Sequence, residues 1–143
     1  MRVRKMIDWK SNLNVDEIKV GDVLPAISIP ITLQRLVMEA QGNYDLSLMH
    51  HDKRAALTVG ASDAFANTFF LMGMYERLLR EWAGNEMRIK RIGNMRMTSF
   101  NVVDDVTTFS GSVREINDEV VTLDMESRVG DRQTSSAFAL IKL

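Results

Sequence analysis

Asp45 and His50 are the residues best placed, by type and spacing, to do acid–base chemistry in this chain. A carboxylate and an imidazole held together can polarise a water: one takes its proton, and the other orients it or returns a proton. Ordinary carboxylic acids and imidazoles titrate near ~3.9 and ~6.5, which brackets a useful range. The chain has two histidines, His50 and His51, side by side, so any imidazole chemistry is located at once. A metal reading of His50-His51-Asp52 is weaker. Neighbouring helical side chains diverge by roughly a quarter turn, and no HxxxH pair or other ligand cluster supports it. No GxSxG surrounds Ser47 or Ser62, so a serine nucleophile lacks its orienting turn. By spacing alone, Asp45 and His50 also fit a capped turn with a satisfied histidine.

The pair falls in Tyr44–Asp52, a stretch without a clean period, and the elements around it must hold it in place. Upstream, residues 1–20 read as a solvated arm, and residues 21–143 as one domain. Ile27 to Ile31 alternates like a short strand, which Pro30 demotes to an edge. Thr32 can cap a helix whose face is Leu33, Leu36, Val37 and Ala40, closed by Gly42-Asn43. Asp52 caps a short helix to about Thr58, stopped at Gly60. Ser62-Asp63 then opens the longest helix, which ends at Ala83-Gly84. Its first turns, Ala64 to Met74, are apolar nearly all round, which predicts burial on every side.

Four strands follow: Met87 to Phe100 with a bulge at Gly93, Val106 to Glu115, Val120 to Ser127, and Gln133 to Leu143. Turn signals at Asp104-Asp105, Asn117-Asp118 and Gly130-Asp131 separate them and favour an antiparallel meander. The last strand is apolar on both faces, which places it centrally. The predicted architecture is α+β, a long central helix wrapped by a curved antiparallel sheet. Asp45 and His50 lie outside both, so replacing them should spare folding.

Composition narrows the partners. With 143 residues the chain is one domain's worth, and 18 basic against 19 acidic residues leave a net charge of -1. Nucleic acid is therefore not an expected partner. No cysteine is present, which excludes disulfides, thiolate zinc and a cysteine nucleophile. No secretory run and no window near the ~18 apolar residues of a membrane span points to a cytoplasmic protein. Ten methionines fill a core, and a pocket they line would suit a bulky apolar group. Arg88, Lys90, Arg91 and Arg96 are either a solvated face or a grip for phosphates.

Asp45-Leu-Ser-Leu-Met-His50-His-Asp52, followed by Ala55 and Ala56, resembles the D-x-N-P-x-H-x-D motif of MaoC-like hydratases, departing at Ser47 and Leu48. The His-His-Asp run, Asp63-Ala-Phe-Ala-Asn67, Trp82-Ala-Gly84 and Thr108-Phe-Ser-Gly-Ser-Val113 are more similar still to the small MaoC-type subunits of steroid side-chain enoyl-CoA hydratases. The resemblance spans residues 40–143 and implies a hot-dog fold. It implies that Asp45 and His50 activate water for addition to an enoyl-CoA double bond. It also implies that a backbone N–H near Asn67 stabilises the thioester oxyanion, where the family has glycine. His51 and Asp52 become structural neighbours, and the basic cluster becomes a grip on coenzyme A. No cofactor is implied beyond the coenzyme A of the substrate. The partners implied are a second copy or a different MaoC-type subunit. An acyl-CoA thioesterase, and a non-catalytic pocket-forming or lipid-binding subunit, are the competing readings.

Overall fold

The computed structural model describes residues 12–143; the first half of the expected arm lies outside the described residues. Eight elements follow in order: β1 (Ile27–Pro30), α1 (Leu33–Gly42), α2 (Lys53–Thr58), α3 (Thr68–Ala83), β2 (Arg88–Met97), β3 (Val106–Asn117), β4 (Val120–Val129) and β5 (Arg132–Lys142). Short 3₁₀ turns lie at Val15–Glu17 and Leu48–His50. The strands form one antiparallel sheet in the order β1-β3-β4-β5-β2. The inner face carries Phe109, Val113, Val121, Leu123, Ala139 and Ile141 against the buried side of α3. There Tyr75 meets Phe109 edge to face with ring centroids 5.5 Å apart, a favoured aromatic geometry. This is the hot-dog arrangement.

Much of the local expectation holds. Thr32 caps α1 by accepting the Arg35 N–H, and Asp52 caps α2 by accepting the Arg54 N–H. β1 is an edge strand, as Pro30 requires, and β5 lies inside the sheet between β4 and β2. Register shifts interrupt β2 on either side of Ile92-Gly93. At Gly93 a Cβ would come within 2.7 Å of the Phe138 ring, so the missing side chain is what lets the two strands approach. Gly84 stops α3 at φ 91°, a conformation that costs glycine little.

Five expectations are corrected. α3 begins at Thr68, because Ala64 to Ala66 is extended: the Ala66 N–H donates to Asn101 O and the Val103 N–H donates to Ala64 O. A segment so uniformly apolar fits either period, and its backbone found a strand partner first. α3 is also buried on one side only, because a single sheet covers one face and leaves Phe69, Met72 and Gly73 open. The strands are not a simple meander, since β2 pairs with β5 and not with β3. On α1 only Leu36 and Ala40 are buried, while Leu33 and Val37 stay exposed. Finally, residues 12–20 are not a wholly solvated arm: Leu13 and Ile18 join the core, and the Leu13 N–H donates to Ala83 O.

Candidate active site

Asp45 sits just past the end of α1, where Tyr44 takes the left-handed φ of 60°, an uncommon backbone for a non-glycine residue. Asn43 stabilises that turn, its Oδ1 accepting the Asp45 backbone N–H at 3.1 Å. His50 ends the 3₁₀ turn and is buried. Its ring meets Phe65 edge to face at 5.1 Å, and its Nδ1 lies 2.8 Å from Phe65 O. A carbonyl oxygen only accepts, so Nδ1 carries a hydrogen, and Nε2 is the nitrogen left for chemistry. Nε2 is 3.3 Å from Asp45 Oδ2. Two acceptors at that distance repel unless a proton lies between them, and 3.3 Å leaves no room for a water. Such a pair can share a proton.

Asn67 closes the constellation from the other side. It caps α3, its Oδ1 accepting the Phe70 N–H at 2.8 Å, while its Nδ2 donates to Asp45 Oδ2 at 2.7 Å. Among the described residues its own backbone N–H has no protein acceptor, which leaves a donor for an oxyanion. The sequence signal for the cap is an Asn ahead of an apolar run. The contact to a carboxylate 22 positions away has no local signal.

Glu39 was not singled out from sequence, yet it belongs to the same cluster. One carboxylate oxygen accepts from Asn43 Nδ2, and the other is buried without a partner among the described residues. Burial raises its carboxyl above the ordinary value; nearby His50 opposes this, the Asp45 charge adds to it, and the Asn43 and Asn67 amides oppose it. The cost to folding is absent at low pH, where both states are protonated below about 4.5. It accumulates as pH rises above that value and levels off once the higher folded-state value is passed. Glu39→Gln is therefore expected to flatten this loss, melting closer to the wild type at pH 4 than at pH 8 and higher than it at pH 8. Parallel thermal melts across that range decide it, and equal shifts at both ends would refute it.

Asp52 accepts from the Arg54 backbone N–H, which with the Arg54 guanidinium holds its carboxyl below the usual range. It is a cap, and His51 is half-buried beside it. A depression of about 400 Å³ lined by Glu39, Asn43, Phe69, Phe70, Gly73 and Met74 adjoins the pair through Asn43, which accepts the Asp45 N–H, while neither Asp45 nor His50 lines it. Of the basic cluster, Arg88, Arg91 and Arg96 pair with Lys142, Leu140 and Ser136. Opposed residues point to the same side, so these three cations lie on the sheet face away from α3. Arg91 stacks over Phe138, and Arg96 lines a separate groove of about 670 Å³ there. Within one chain they are not brought together with Asp45 and His50. Among the described residues no group of three or more His, Cys, Asp or Glu could hold a metal, and no helix is long and apolar enough to cross a membrane.

No family model matches the chain. The 3-oxo-4,17-pregnadiene-20-carboxyl-CoA hydratase beta subunit of Mycobacterium tuberculosis is 33% identical to it over 119 residues, 82% of this chain and 92% of that one. The chain belongs to the MaoC-like hydratase family. A chain of the ChsH1-ChsH2 complex from Mycobacterium tuberculosis superposes on this MaoC-like chain with a TM-score of 0.83 and 30% identity, over 87% of this chain and 98% of that one. The (R)-hydratase from A. caviae involved in PHA biosynthesis reaches the same TM-score of 0.83 at 17% identity, over 90% and 99%. That likeness shows the fold alone.

Proposed function

We propose that this MaoC-like chain is the catalytic subunit of an enoyl-CoA hydratase that adds water across the double bond of a bulky, steroid-derived 2-enoyl thioester. The observation that carries the reading is His50 Nε2 held 3.3 Å from Asp45 Oδ2, with Nδ1 engaged by Phe65 O. The name of the Mycobacterium tuberculosis relative supports the steroid substrate. In the reaction the water oxygen bonds to C3 and the C2–C3 π pair moves toward the thioester carbonyl. The Asn67 backbone N–H meets the oxyanion that develops there. One proton leaves the water and one arrives at C2, and Asp45 and His50 are the groups that hold them. The acyl chain enters the depression beside Phe69 and Met74. No cofactor is needed beyond the coenzyme A of the substrate, and the cytoplasm is where such thioesters would be met.

The working unit is a heteromer with a second MaoC-type subunit or a homodimer. The relative's description as a beta subunit and the two-component ChsH1-ChsH2 complex support pairing, as does the open apolar side of α3. For coenzyme A we propose the free edge of β2, where none of Arg88, Lys90, Arg91 and Arg96 has a carboxylate partner among the described residues. Hydration, followed as loss of enoyl absorbance with and without the partner, tests the reading. Release of free thiol with the absorbance retained would replace it with a thioesterase. In the same assay, alanine at these four positions is expected to raise KM for CoA thioesters and leave pantetheine thioesters, which lack the nucleotide phosphates, almost unchanged. Equal changes for both would leave a solvated face.

A further inference from the structure

One oxygen of Asp45 carries both of its side-chain contacts. Oδ2 accepts from Asn67 Nδ2 at 2.7 Å and faces His50 Nε2 at 3.3 Å, while among the described residues no hydrogen bond ends on Oδ1. We propose that the Asn67 side chain is a positioning residue for Asp45, fixing which carboxylate oxygen meets His50 and leaving Oδ1 to take the proton from water. This rests on the hydratase reading above and is distinct from the backbone donor of the same residue.

The terminal torsion of an aspartate is broad and nearly two-fold, so an untethered carboxylate can exchange its oxygens. Asn67 removes that freedom. The Phe70 N–H can only donate, so Asn67 Oδ1 must face it and the amide NH₂ must face Asp45. Asn67 is 3% exposed, so the donor end of the bond is shielded from water. The donor is also neutral. Glu39 on α1 and His50 on the 3₁₀ turn are the titratable groups beside Asp45, and an amide holds the carboxylate whichever of them is protonated. Its base is α3, whose inner side is packed into the core, so the tether is rigid.

Asn67→Ser keeps a good helix cap but ends short of Asp45, and Asn67→Gly keeps only the backbone N–H. Both are expected to lower kcat by up to about 10²-fold, the scale of a small misplacement, with KM changed far less. The acid limb of the pH–rate profile should move to higher pH, because an ionised carboxylate has lost a donor. Asn67→Asp retains the cap but sets a like charge against Asp45, and should move that limb further. A role in capping alone would lower Tm and leave the limb in place. Wild-type kcat with an unmoved limb in the Ser and Gly variants overturns the proposal while the hydratase reading stands. Absence of hydration by the wild-type assembly overturns the hydratase reading itself.

Discussion

Asp45→Asn is expected to lower kcat by about 10²–10⁴, the range for losing a positioned acid or base, with the fold and assembly intact. The change is nearly isosteric, and the Asp45 side chain is about a quarter exposed, at 26%, so little packing is disturbed. The amide that replaces the carboxylate cannot take a proton from water. His50 requires a different control. Its ring is buried on Phe65 and its Nδ1 engages Phe65 O, so His50→Ala removes packing and a buried hydrogen bond along with the chemistry. An undisturbed fold is therefore the expectation for Asp45, whereas a loss of stability is expected for His50. His50→Gln fills more of the space and should show a kcat loss in the same range with a smaller fall in Tm. His51→Ala should cost far less than either. Hydration rates and melts on the four variants decide the matter, and a His51 effect as large as that of His50 would mean the wrong imidazole has been assigned.

The second large effect is expected at the open side of α3. Phe69 and Met72, three positions apart on α3, are 58% and 36% exposed. Burying side chains of this size is worth about 1.5–3 kcal/mol each, and monomeric proteins seldom leave such groups clustered in water. Phe69→Gln together with Met72→Gln adds polarity without a charge near Asp45 and keeps good helix formers on the surface. The variant should retain the helical and sheet signature of the wild type yet dissociate at micromolar concentration. Activity should fall with assembly, because the depression beside the pair shares Phe69 with this surface. Light scattering and turnover on the same samples test it. An assembled and fully active double variant would show that partners meet elsewhere.

Local chemistry was legible in the residues, and long-range pairing was not. Thr32, Asp52, Pro30 and the Asp118 and Gly130 turns declare themselves because caps and turns are decided within a few positions. The Asp45–His50 spacing drew attention to the pair for the same reason. The true start of α3 was hidden because Ala64-Phe65-Ala66 is apolar throughout, and only its partners at residues 101–103 make it extended. Glu39 reads as a solvent-facing helix residue until the turn at Tyr44 folds Asp45 back toward it. Leu13 and Ile18 are isolated among polar neighbours, so periodicity gives them no weight.

The sheet order also bears on how the chain folds during synthesis. β2 leaves the ribosome well before β5, its neighbour, for Arg88 is paired with Lys142. Until β5 emerges, β2 has no partner strand and Ile89, Ile92 and α3 lack the surface that completes their cover. Contacts so distant in sequence are slow to close, and a nascent chain in that interval presents an apolar helix and a free strand edge at the same time. Chaperone capture, or assembly with a partner already folded, would be most consequential in that window.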